Sequence, residues 1–138
     1  MKWYVYAILS AILASLVAVL GKAGLSHIDS TLATTVRAII MALVLVGIAV
    51  YFGKFSFIAS LDNKALSFIA ISGIAGALSW LFYFLAIQSG PVSGVVALDR
   101  TSLVFALMLS IFFLGESFSW QKVFGATLVT IGAILISL

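Results

Sequence analysis

Five stretches of this chain are each long and apolar enough to cross a lipid bilayer, and they leave little of it over. A helical span of the hydrocarbon core needs about 20 apolar residues. The stretches run approximately over 3–20, 32–52, 66–87, 95–114 and 118–138. The last has its apolar core at 123–138, with Phe118 and Trp120 expected as interface anchors and Lys122 snorkelling. The apolar runs are continuous instead of alternating at period two, so they predict helices and not barrel strands. Open chain cannot face lipid. Composition agrees: 64% of the 138 residues are hydrophobic and 8% charged, against about 45–50% and about 25% in a soluble domain. No soluble fold of this size hides so much apolar surface. The expected fold class is all-α integral membrane, with five transmembrane helices.

The same residues exclude much chemistry. There is no cysteine, hence no disulfide, thiolate metal site or Cys nucleophile, and His27 is the single histidine. No acidic pair suits metal hydrolysis, no His is placed to activate a Ser, and Gly21-Lys22 lacks the upstream glycines of a P-loop. Neither an enzyme nor a cofactor or metal site is expected. The net charge of +3 comes from basic residues scattered singly, which offer no track for a phosphate backbone, so nucleic acid is not an expected partner. Lys2 before an apolar run has the look of a signal peptide, but the run exceeds the usual apolar region and no A-x-A-like site follows before Lys22. With no ATP site, any pumping has to draw on a gradient.

The connections are short. Gly21 to Ser30 links the first two helices, with Asp29 or Ser30 as N-cap. Phe55 to Lys64 links the next pair and places Phe57, Ile58 and Leu61 at the interface. Ser89-Gly90-Pro91 makes the third turn, and Gly115 to Gln121 the fourth. Five spans put the termini on opposite sides. Lys2, Lys54, Lys64 and Lys122 flank the membrane on the N-terminal side, against Lys22 on the other; counting Arg37 and Arg100 makes it four against three. A bias that weak is compatible with insertion in both orientations.

Charged groups within spans are candidates for function. Arg37 lies about five residues into the expected second helix, and Asp99 and Arg100 lie in the first turns of the fourth. Neighbours on a helix point about 100° apart, so Asp99 and Arg100 cannot form a face-to-face pair. Arg37 and Asp99 stand at similar depth and are a possible pair. Two readings stay open: Arg37 snorkels while Asp99 caps a helix or neutralises an arginine, or these groups serve as gate, coupling or anion-binding residues. In the third helix Ser72, Gly76, Ser79 and Tyr83 form one stripe beside Trp80. In the fourth Asp99, Ser102, Ala106 and Ser110 fall together, and the first carries Ala7, Ala11, Ala14 and Ala18. Small stripes serve close helix packing in lipid. With Trp80 and Tyr83 beside it, the third-helix stripe reads equally as a substrate wall. Gly125 and Gly132, one heptad apart, mark a face for close helix approach, either a self-association seam or packing within one chain.

Several stretches then resemble a known family. Gly21-Lys22-Ala23-Gly24-Leu25 with Ala33 to Arg37, Ser79 to Ala86 with Gly90-Pro91 and Leu98-Asp99-Arg100, and Phe113-Leu114-Gly115-Glu116 with Gly125-Ala126 and Gly132 are similar to EamA-domain proteins of the drug/metabolite transporter superfamily. The resemblance covers essentially the whole chain. It implies one five-helix EamA-type repeat, 1–138, equivalent to half of a ten-helix transporter. It further implies a gradient-driven carrier of small organic metabolites in the inner membrane, working by alternating access as an antiparallel homodimer. Ser72, Ser79, Trp80, Tyr83 and Ser102 would line the pathway, with Arg37, Asp99 and Arg100 as gate or coupling residues and Gly125 and Gly132 at the dimer seam. The Gly125/Gly132 spacing is also similar to the dimerising last helix of small multidrug resistance transporters, but their membrane-embedded Glu of helix one has no counterpart among Tyr4, Tyr6, Ser10 and Ser15. Glu116 matches a family signature and is expected to order its turn. The competing expectation is a non-transporting membrane partner, an accessory subunit of another membrane protein.

Overall fold

A computed structural model describes residues 2–25 and 27–138. The described residues form α-helices and turns, with no strand. The helices are α1 (Trp3–Gly24), α2 (Ser30–Tyr51), α3 (Asn63–Ser89), α4 (Val92–Asp99), α5 (Ser102–Leu114) and α6 (Trp120–Ser137), with a 3₁₀ segment at Lys54–Ser60. Five helical stretches are long and apolar enough to span a membrane, α4 and α5 together making the fourth at Val92–Leu114. The fold is all-α.

Several boundaries differ from those expected. Gly21 and Lys22 continue α1 as far as Gly24, α3 begins at Asn63, and the fourth span begins at Val92, directly after Pro91. Pro91 supplies the extended conformation before the helix (φ −70°, ψ 137°) and its carbonyl accepts from Val95 N at 3.0 Å. Asp99 and Arg100 therefore lie two turns into the span, about one turn deeper than a start at Val95 would place them. The fourth span is also not one helix: α4 stops at Asp99 and α5 starts at Ser102. Between the N-caps foreseen for α2, the structure selects Asp29, whose side chain accepts from Leu32 N at 3.0 Å.

The helices bury few residues, mostly small ones, and expose most large ones. Ala18, Ala97, Ala126 and Ala133 are buried, as are Leu25, Phe84 and Ile87, while Leu, Ile, Val and Phe side chains are exposed along every span. This inverts the soluble pattern, as lipid requires: tails are as apolar as leucine, so helices associate by close packing and not by burying hydrophobes.

The chain divides into two compact units, one of Met1–Lys22 with Ser89–Leu138 and one of Ala23–Gln88. In the first, α4 packs along α6. Gly94 sits at this contact: a Cβ there would stand 3.5 Å from Ser137 Cα, an ordinary contact that a larger side chain would exceed, and a tighter 3.3 Å from Pro91 Cγ. Lys22 Nζ donates to Gly90 O at 3.1 Å, fastening the end of α1 to the turn that starts α4. At the far end of α5, Gly115 turns the chain in the left-handed region (φ 67°), and its N–H and that of Glu116 both donate to Ser110 O.

In the second unit α2 and α3 run in opposite directions. Gln88 Nε2 at the end of α3 donates to Ile28 O, just before α2, at 3.2 Å. At the opposite end Gly53 (φ 63°) reverses the chain into the 3₁₀ segment, whose Phe57 and Ile58 are exposed, as is the following Leu61, in keeping with an interfacial position. Phe84 and Ile87 are buried near the end of α3, and the Ser30 hydroxyl is buried with no hydrogen-bond partner.

Candidate functional site: an arginine stacked in an apolar cavity

Within the second unit, α2 and α3 do not pack side by side. A cavity of about 740 Å³ lies between them. The α2 wall is Thr31, Thr34, Thr35, Arg37, Ala38, Met41, Ala42 and Leu45, which recur at helical spacing and so share one face. The α3 wall is Gly73, Gly76, Ala77, Leu78, Trp80 and Leu81. Open space lies over the glycines: a Cβ added at Gly73 or Gly76 would meet nothing within 4 Å.

Arg37 is half-buried. Its guanidinium carbon lies 3.7 Å from the Trp80 ring centroid and 5.2 Å from that of Phe84. Trp80, Tyr83 and Phe84 brace one another, with centroids 5.4 Å apart for Trp80–Tyr83 and 6.0 Å for Trp80–Phe84. Positions 80 and 84 are one turn apart and present both rings to the cation. Arg37 stands seven residues from the start of α2, about 10 Å along its axis. Trp80 is nine residues from the end of α3, about 13 Å, and Phe84 five residues, about 7 Å. The guanidinium is nearer the deeper ring, so it is held inside the span and not stretched towards the surface. The ion pair found among the described residues joins Lys122 to Glu116; Arg37 lies against aromatic faces and forms no ion pair among them.

Tyr83 is half-buried beside Trp80, whereas Ser72 and Ser79 are exposed and do not line the cavity. The face of α3 that meets it runs through Gly73, Gly76, Ala77 and Trp80, sharing only Gly76 with the stripe read from the sequence. Thr34 and Thr35 donate their hydroxyls to carbonyls of their own helix, Ser30 O at 2.7 Å and Thr31 O at 2.8 Å, which leaves their oxygens able only to accept. The i,i+4 pairing of Trp80 with Phe84, legible in the sequence, was the unused signal for the platform.

In the first unit, Asp99 and Arg100 are exposed at the break in the fourth span, and Ser102 is exposed just beyond it. Across the break the backbone hydrogen bonds tighten to three-residue spacing: Arg100 N to Ala97 O at 3.1 Å, Thr101 N to Leu98 O at 3.0 Å, Leu103 N to Arg100 O at 3.1 Å and Val104 N to Thr101 O at 2.9 Å. The Thr101 hydroxyl donates to Leu98 O at 2.6 Å, competing for a backbone acceptor. Asp99-Arg100-Thr101-Ser102 is thus a polar break inside an apolar span. A second cavity of about 550 Å³ lies between α5 and α6, with Gly125 in its wall and the Glu116–Lys122 pair (3.1 Å) at one end. Open space lies over Gly132.

Comparison with known proteins gives these features a context. The family described as EamA-like transporter family matches residues 1–138. A protein of a Sinorhizobium species, named an uncharacterized transporter in the cobO 3′ region, is 32% identical over 136 residues, covering 99% of this chain and 96% of the relative. Two relatives are named probable 4-amino-4-deoxy-L-arabinose-phosphoundecaprenol flippase subunit ArnF. The one from Pseudomonas savastanoi pv. phaseolicola is 35% identical over 83 residues, 59% of this chain and 61% of the relative. The one from Pseudomonas syringae pv. syringae is 37% identical over 82 residues, 58% and 57%. No solved structure matches the chain significantly.

Proposed function

We propose that this chain, which belongs to the EamA-like transporter family over residues 1–138, exports small organic metabolites across the inner membrane, driven by a gradient, as an antiparallel homodimer. The observation that carries this reading is the open-sided cavity between α2 and α3, lined by Gly73, Gly76 and Ala77 and furnished with one cation and one aromatic platform. A site of that kind, mostly apolar with few polar groups, suits an organic solute. Trp80 forms part of its wall and Tyr83 braces that ring, with Ser72, Ser79 and Ser102 as pathway residues outside the cavity.

A second copy is supported by what one copy leaves bare. Asp99 and Arg100 are exposed two turns into a membrane span, where charge facing lipid is costly and a facing protein surface relieves it. The Gly125/Gly132 face is open to close approach. A relative of nearly the same length matches end to end and is named a transporter. Alternating access then rocks the two copies about the midplane, with the break at Arg100-Thr101 as a point of bending in the fourth span. Arg37, Asp99 and Arg100 are the proposed gate or coupling residues.

A second reading, an accessory membrane subunit without transport of its own, is favoured by the word subunit in the names of the two Pseudomonas relatives. Liposomes containing only this chain distinguish the two: gradient-driven solute flux is expected, and its absence would favour the accessory role. Orientation is measured by placing one Cys at Ser60 and, separately, one at Leu138, on opposite sides of five spans, then labelling intact cells with an impermeant maleimide. Partial labelling at both sites is expected for an antiparallel pair. One site fully labelled and the other protected would rule that pair out.

A further inference from the structure

We infer that the cavity between α2 and α3 is a receptor for an amphiphilic organic anion, whose carboxylate or phosphate group rests on Arg37 and whose apolar body lies along Met41, Leu45 and Gly73. The inference rests on the reading of this cavity as a solute pathway and names the substrate class it takes.

The argument begins with the unspent valence of Arg37. A guanidinium carries five N–H donors in a plane. Stacking on Trp80 uses its face and leaves the edge, and no hydrogen bond or ion pair to that edge is formed among the described residues. Such a charge about 10 Å down a membrane span is costly unless an anion meets it. The Trp80 ring holds the guanidinium carbon 3.7 Å from its centroid, and the planar fork suits a carboxylate or two phosphate oxygens. A cationic solute would be repelled from the same place.

The lining supplies the second half. From Arg37 towards the middle of the span the walls are Ala38, Met41, Ala42 and Leu45 on one side and Gly73, Gly76 and Ala77 on the other, with no further polar side chain. A hydrophilic anion such as inorganic phosphate would gain the charge contact and nothing from this wall. A solute with an alkyl or ring body fills it, and Met41 adapts to its shape. Charge at one level and apolar room beyond it describe a head and a tail.

The test uses the full chain in nanodiscs of phosphatidylcholine, with Trp3→Phe and Trp120→Phe so that emission reports Trp80. Decyl phosphate is titrated against decyltrimethylammonium, decanol and inorganic phosphate. Expected is a saturable change with decyl phosphate, at an affinity about ten-fold or more above each of the other three. Arg37→Gln is expected to weaken decyl phosphate about ten-fold, and Arg37→Lys, which keeps the charge and loses the planar fork, to recover only part of that loss. Equal response to the phosphate and the ammonium overturns the proposal, as does unchanged affinity in Arg37→Gln. If Arg37→Gln does not fold, the four-ligand comparison on the unaltered cavity decides alone.

Adding phosphatidylglycerol to the discs identifies the source of the anion. Competition with decyl phosphate assigns the site to a bilayer lipid, and no competition to a solute from water; in both the anion site stands. Flux in liposomes separates the two levels of inference: flux with Arg37-independent binding sinks the anion site alone, and Arg37-dependent binding without flux sinks the carrier reading alone.

Discussion

The two compact units are made of the same kind of apolar helix, and Gly94 in one stands in a different setting from Gly73 and Gly76 in the other, although the first unit also leaves Gly125 and Gly132 facing open space. In the unit of α1, α4, α5 and α6, Gly94 lies against the backbone of Ser137, and Ala97, Ala126 and Ala133 are buried. In the unit of α2 and α3, Gly73 and Gly76 face open space and line a cavity. In lipid the hydrophobic effect does not push helices together, so a small residue does not by itself declare a seam. What decides is the facing element. Opposite Gly94 stands a backbone that approaches closely. Between α2 and α3 the bulk of Arg37 on Trp80 holds a space open. On the proposed reading the first unit serves as scaffold and the second takes the solute.

The largest effect should come from filling one glycine of each kind. Gly94→Leu forces α4 off Ser137 and Pro91, and overpacking of this sort costs about 1–3 kcal/mol. Gly76→Leu enters empty space; its stability is expected to stay within about 1 kcal/mol, with helix propensity in its favour, while solute binding in the cavity is lost. Denaturant unfolding in micelles measures the first property and ligand titration the second. Equal destabilisation by both would erase the contrast between scaffold and cavity.

Next in size are the two glycines whose backbone, not packing, demands them. Gly53 in one unit and Gly115 in the other have φ of 63° and 67° with nothing near an added Cβ. A side chain in that region costs roughly 1–2 kcal/mol through local sterics. Gly53→Ala and Gly115→Ala should therefore destabilise alike in the same unfolding measurement, whatever the packing of their units. A much larger loss at Gly115 would mean that the double cap on Ser110 O holds the α5–α6 turn more firmly than backbone strain alone implies.

Which features could be read from the chain follows the same division. The five spans and the cap at Asp29 depend on local length and local hydrogen bonding, and both are legible. The depth of Arg37 is legible too, but its stacking is not, because it depends on which face of α3 meets α2. Apolar residues ring α3 almost evenly, so Ser72, Ser79 and Tyr83 make as good a stripe on paper as Gly73, Ala77 and Trp80 do in space. The break in the fourth span is hidden for another reason: Arg100 and Thr101 are both right-handed (φ −66° at each), with neither proline nor glycine to announce it. Only the polar run from Asp99 to Ser102 hints at it.

The smallest expected effect compares two cations. Lys122 in the scaffold unit meets Glu116 Oε2 at 3.1 Å and the Ser117 carbonyl at 3.3 Å, with the two side chains 41% and 49% exposed. Exposed pairs contribute about 0–1 kcal/mol, since water and salt serve each partner nearly as well. Glu116→Gln should shift the unfolding free energy by less than about 1 kcal/mol, lose even that in high salt, and leave decyl phosphate binding unchanged. Arg37 differs in every respect that matters: it sits inside a span, its face is occupied by Trp80, and its edge awaits an anion. If Glu116→Gln weakened anion binding as strongly as Arg37→Gln, the groove between α5 and α6 would belong to the binding machinery. The separation of the chain into a packed unit and a receptive one would then fail at its most exposed charge pair.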